Sequence, residues 1–161
     1  MKRGQLELSF GMIFTLILIA IFIAFAIYVI ITFLNFSDKV KIEQFDEAIQ
    51  EDIDDIWRSP QGNKEVTYSL PTQIEKICFF DRSTPAKGNY SSFHNTFIGL
   101  SLEENLMFYP EASGEGENGI ELSNIDISKI TKSSNPYCVD NDGEFKLTIS
   151  MNYGEGLVTI K

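Results

Sequence analysis

The chain has 161 residues, 43% of them hydrophobic and 22% charged, with a formal net charge of −10. That is room for one domain of ordinary size, and the acidic balance argues against a nucleic-acid partner, which needs a basic face for phosphates. The charge is unevenly placed. Residues 10–36 carry none, whereas residues 37–161 hold 11 Lys/Arg and 22 Asp/Glu. The pattern is an apolar rod joined to an acidic soluble domain.

Phe10 to Leu34 is a stretch of 25 residues, 17 of them Leu, Ile, Val or Phe. As a helix it is roughly 37 Å long, enough to cross a hydrocarbon core of about 30 Å with some tilt. The rest of the chain is too small to enclose a helix that is apolar on all sides, which excludes a buried core helix. Lys2 and Arg3 precede the span, and a mainly acidic run follows it from Ser37-Asp38. The expectation is a single-pass membrane protein in contact with lipid, its N-terminus cytoplasmic and its C-terminal domain extracellular. Ala24-Phe25-Ala26 has the form of a signal-cleavage site, but eight apolar or weakly polar residues, Ile27 to Leu34, follow it. A retained anchor is the better reading.

The segment ahead of the span reads Lys2-Arg3-Gly4-Gln5-Leu6-Glu7-Leu8-Ser9-Phe10-Gly11. A short basic head, then Gly, Gln and an acidic residue before a long apolar helix, resembles archaeal type IV pilin-like precursors with class III signal peptides. The matching positions are Arg3, Gly4, Gln5 and Glu7. The resemblance implies processing by a prepilin peptidase after Gly4, a mature chain that starts at Gln5, and apolar helices packed together as a filament core. It also implies self-association or assembly with related pilin-like subunits. In that family the acidic residue usually stands fifth in the mature chain. Here the fifth residue from Gln5 is Ser9, and Glu7 stands third. Glu7 has two readings: a carboxylate solvated among headgroups, or an assembly residue that pairs with the N-terminus of a neighbour.

Beyond the membrane the helix is expected to continue. Ile42, Phe45, Ile49, Ile53 and Ile56 form one apolar stripe at helical spacing. The opposite face carries Glu43, Asp46, Glu47, Gln50, Glu51, Asp54 and Asp55. Ser59-Pro60-Gln61-Gly62-Asn63 ends the helix near Arg58. Strands are expected at Glu65–Leu70, Ile74–Phe80, Asn105–Tyr109, Ile125–Ile130, Glu144–Met151 and Leu157–Ile160, with Tyr153–Gly156 as a hairpin turn. Ala112 to Gly119 reads as a flexible acidic loop. The fold class is therefore α+β: a long N-terminal transmembrane and amphipathic helix packed on a small antiparallel β-sheet domain. The expected divisions are 1–36, the head and span; 37–58, the amphipathic extension; and 59–161, the β-rich domain.

Cys78 and Cys138 are the only cysteines. An even count in an external compartment favours a disulfide, the alternative being two separate buried thiols. A bridge closing about 60 residues stabilises by roughly 4 kcal/mol on the chain-entropy account. Asp140-Asn141-Asp142-Gly143-Glu144 invites a calcium reading, but an EF-hand loop has its Gly sixth and here it is fourth. Asp-Gly before a strong strand reads as a hairpin turn instead.

Nothing points to an enzyme, a cofactor or a metal. His94 is the only histidine, has no ligand spacing to another His or Cys, and stands in a Ser/Asn/Phe-rich loop. There is no phosphate loop and no Gly-x-Ser-x-Gly. The aromatic run Asn89 to Phe97 reads as core edge, or, if exposed, as an adhesive patch. Asn89-Tyr90-Ser91 and Asn35-Phe36-Ser37 are N-glycosylation sequons. Asn89 is the better acceptor, because Asn35 lies close to the membrane. The functional expectation is a structural or minor subunit of an archaeal pilus-like filament. Its alternative is a non-polymerising anchored surface domain for binding or adhesion.

Overall fold

The structure, a computed structural model, describes residues 10–100 and 103–161. The fold is α+β, and the chain divides into two compact units on either side of the Ser37–Asp38 bond. Helix α1 spans Phe10–Trp57, as the uncharged span and the apolar stripe after it predict, and it stops one residue before Arg58 at the Ser-Pro-Gln-Gly breaker.

In the second unit two small antiparallel sheets share one core. Strand β1 (Gly62–Ser69) pairs with β6 (Glu144–Met151), and β6 pairs with β7 (Thr159–Ile160). The other sheet has the order β4 (Gly119–Ile120), β3 (Leu106–Tyr109), β2 (Lys76–Phe79) and β5 (Tyr137–Asp140). Along β6 the alternation is clean: Phe145, Leu147, Ile149 and Met151 are buried. The stripe Ile42, Phe45, Ile49, Ile53 and Ile56 is buried on the same core. Phe45 meets Tyr68 and Phe145 edge to face at 5.3 and 5.6 Å between centroids.

The second sheet is covered on both faces, which explains why its central strands read as continuous apolar runs rather than alternating ones. Ile77 and Phe79 of β2, with Leu106 and Phe108 of β3, enter the main core. Their neighbours Cys78, Phe80 and Met107 point the other way, into a second cluster with Phe97 of helix α2 (Phe93–Leu100). Gly119 sits where β4 crosses Leu106 so closely that a Cβ would lie 2.3 Å from the Leu106 carbonyl oxygen, so only glycine fits there.

Three expectations are corrected. Residues 93–100 are helical, so His94 stands on a helix and not in a loop. Ile125–Ile130 is not a strand. Asp126 caps the one-turn helix α3 (Ile127–Ile130), its carboxylate accepting from the Lys129 backbone at 2.9 Å, and Ile125 contributes only an isolated parallel bridge to Val158. A period-two pattern over six residues also fits one helical turn when an Asp stands at its start. Asp142-Gly143 is not a hairpin turn. Its flanking strands β5 and β6 lie in different sheets, and Gly143, at φ 96°, turns the chain from one sheet to the other.

Candidate functional site

In the first unit every described side chain from Phe10 to Phe36 is exposed. The segment is long and apolar enough to cross a bilayer, and none of its most apolar stretch is buried within the protein. Its two threonine hydroxyls are satisfied internally. Thr15 and Thr32 donate their hydroxyls to the carbonyls of Gly11 and Tyr28 at 2.8 and 2.9 Å, the usual way such residues are accommodated in an apolar helix. Tyr28, Val29, Thr32, Phe33 and Phe36 line a shallow apolar groove of about 330 Å³. Gly4, Gln5 and Glu7, the processing and assembly residues of the sequence reading, lie outside the described residues.

In the second unit polar contacts lock α1 to its sheet. Tyr68 donates its hydroxyl to Asp52 at 2.6 Å, and Lys64 pairs with the other oxygen of the same carboxylate. Burial first, then the bond to Asp52, push the Tyr68 hydroxyl above the ordinary tyrosine range, so it stays a donor. Asp52 raises Lys64 in turn by accepting its hydrogen bond. Two residues further, the Asp54 carboxylate accepts from Gln50 at 2.9 Å and from Asn124 at 3.0 Å, and the Gln50 carbonyl accepts from the Ser123 backbone at 2.9 Å. The polar face opposite the stripe therefore also fastens the helix to Ser123 and Asn124. Asp46 on that face has its pKa raised by burial and then by Glu47.

Cys78 and Cys138 stand directly opposite each other on β2 and β5 and form a disulfide, with Cα atoms 4.0 Å apart. Only tertiary pairing brings them together, across a separation of 60 residues. His94 is buried against Phe80, and its Nε2–H donates to the Thr84 carbonyl at 2.9 Å, so it has a structural role in holding α2 to the 81–87 loop. The aromatics after Asn89 belong to the edge of the core. Phe93 stacks on Tyr109 at 4.2 Å and on Tyr90 at 5.6 Å, and the Lys76 ammonium lies over the Tyr90 ring at 5.4 Å. Asn89 itself is exposed in the turn after Gly88, and its amide makes no hydrogen bond among the described residues.

Sequence reasoning missed Asn135. It is fully buried, donates to the Asp81 carbonyl at 2.8 Å and to the Thr84 hydroxyl at 2.9 Å, and accepts from the Asp81 backbone at 3.1 Å. An Asn before a Pro signals a turn; nothing in the pattern signals a buried hub. Among the described residues no three His, Cys, Asp or Glu side chains are grouped to hold a metal ion. The Asp140–Glu144 segment is instead organised by Asn141, whose buried amide donates to the carbonyls of Ile74 and Pro71 at 2.6 and 3.1 Å.

No family model matches this chain, and no curated protein or solved structure matches it either.

Proposed function

We propose that this chain is a structural or minor subunit of an archaeal type IV pilus-like surface filament, assembled through its apolar N-terminal helix. One observation carries the reading. A single helix, α1, presents an exposed apolar surface over the described residues of 10–36 and a buried stripe over residues 42–56. The basic-Gly-Gln-acidic entry at Arg3, Gly4, Gln5 and Glu7 supports it, because a plain anchor has no need of such a sequence. In lipid there is no hydrophobic drive between helices, so association rests on close packing and polar pairing. The Glu7 carboxylate, opposite the amine of a neighbouring Gln5 after cleavage, supplies such a pair. The positive flank of Lys2 and Arg3 supports an N-terminus in the cytoplasm and a domain outside.

The test is N-terminal sequencing of native protein together with two variants. Cleavage after Gly4, with loss of polymer in Gly4→Val through blocked processing and in Glu7→Gln through lost pairing, supports the filament. An intact Met1 in a monomeric membrane protein, with both variants behaving like the parent, replaces it with the second reading, a non-polymerising anchored binding domain. The position of Glu7, third rather than fifth from Gln5, is the observation that favours that alternative. External protease on intact cells should remove the C-terminal domain; a protected domain would overturn the orientation in both readings.

A further inference from the structure

The two ends of the Asp38–Lys161 unit differ in chemistry. The register of β1 on β6 fixes which residues lie at which end: Gly62 opposite Met151 at one, Ser69 opposite Glu144 at the other. Seven residue steps at about 3.3 Å separate them by roughly 23 Å.

At the Met151 end the turn after β6 presents Tyr153 and Leu157, 82% and 44% exposed, and Trp57 at the end of α1 is 43% exposed. This turn is braced. The Glu155 carboxylate accepts from the Asn152 backbone and side chain at 2.8 and 3.1 Å and pairs with Lys129, and the Trp57 indole N–H donates to the Gly156 carbonyl at 3.1 Å. The side chain of neighbouring Arg58 is 70% exposed, and among the described residues its guanidinium pairs only with Asp54, at 3.6 Å. Exposed Tyr, Trp and Arg on a pre-ordered support are the residue types that dominate binding energy at interfaces, and the ordering cost is already met. At the Glu144 end lies a concavity of about 540 Å³ lined by Thr72, Glu75, Lys76, Asp140, Asn141 and Asp142. It holds three carboxylates and one ammonium, and that ammonium is already engaged by Asp140.

We infer that the aromatic end of one copy, with Arg58, seats on the acidic concave end of the next copy, head to tail. The acidic end alone would not specify a partner. The aromatic and arginine-bearing end on the same unit is complementary to it in charge, so an identical chain satisfies both surfaces. A contact between two unlike surfaces does not close on itself as a two-fold dimer does, and it propagates as a ring or filament. The inference rests on the filament reading and adds a contact between the folded units to the helix packing. In the contact the Tyr153 hydroxyl donates to a carboxylate of the concavity, and Arg58 forks onto another.

The experiment uses the full chain in its native membrane, with Tyr153 replaced by the photo-reactive benzoylphenylalanine, and reads polymer and cross-linked peptides in the same preparation. The expected adducts join position 153 to residues 72–76 or 140–144 of a second copy. Arg58→Glu should lower their yield by about fivefold or more, and Asp142→Lys in the same chain should restore it. Polymer with adducts on another surface, on lipid or on a second position 153 overturns this contact and leaves the filament reading standing. Absence of both polymer and adducts between copies overturns the two together.

Discussion

Residues 10–36 and 38–57 belong to the same helix, α1, yet they treat apolar side chains in opposite ways. In the first stretch apolar residues cover every side and all are exposed; in the second they occupy one stripe, and that stripe is buried under β1 and β6. The backbone is the same and its hydrogen bonds are local in both. The difference lies in what surrounds the side chains. An all-round apolar helix fits a medium as apolar as itself, whereas a stripe needs a single packed surface on one side and water on the other. Helix formation alone therefore says little about α1; the angular distribution of its side chains says where each part belongs.

The sharpest way to break this comparison is to weaken the folded unit without touching the apolar stretch. Replacing both cysteines, Cys78→Ser with Cys138→Ser, releases a constraint on 60 residues and should cost about 4 kcal/mol, lowering the melting temperature by more than about 10 °C. Calorimetry of the reconstituted protein checks this, and non-reducing peptide mapping of the parent should show the linked pair. Ile53→Ala should cost about 3 kcal/mol, because Ile53 is fully buried and its removal leaves a cavity. The same change at Ile21, in the apolar stretch, should leave the unfolding transition of the domain where it was. A comparable loss at both positions would show that the two stretches do not differ as described.

Smaller effects test how the second stretch is fastened. Tyr68→Phe removes the bond to Asp52 and should cost about 1.5 kcal/mol by chemical denaturation. Thr159→Val should do the opposite. The Thr159 hydroxyl is buried with no partner among the described residues, so an apolar group of the same shape should stabilise by about 1 kcal/mol. The smallest effect is a pH dependence at the exposed turn. The hydrogen bond from Lys129, then those from Asn152, lower Glu155 from its ordinary 4.5 to about 2. A depressed carboxylate contributes stability above its unfolded value and loses it as pH falls through the folded one, so this contribution should fade between about pH 4.5 and 2. Denaturation at several pH values should show the slope in the parent and its reduction in Glu155→Gln.

Much of the fold was legible because it obeys a local period. The spacing of Ile42, Phe45, Ile49, Ile53 and Ile56 fits one helix face, and the alternation of Phe145, Leu147, Ile149 and Met151 fits one strand face. Where local pattern is ambiguous the sequence misleads. Six of the eight residues of helix α2, Phe93, His94, Asn95, Thr96, Phe97 and Gly99, are poor helix formers, and it forms because Phe97 packs under Phe80 and His94 reaches Thr84. The Ile125–Ile130 alternation gives way to an Asp126 cap because only Ile125 finds a strand neighbour.

For this protein, then, sequence by itself determined the elements whose cause lies in their own neighbours: the uncharged span, its amphipathic continuation, the breaker after Trp57 and the strongest strand. The tertiary structure decided whatever depends on contacts between residues far apart in the chain. It set Cys78 against Cys138, buried Asn135 between two loops, assigned β5 and β6 to different sheets, and placed Tyr153 and Asp142 at opposite ends of β6. The physical reason is that hydrophobic period and turn chemistry act over a few residues, while strand pairing and the satisfaction of buried polar groups are settled by whichever distant partner the packed core brings within reach.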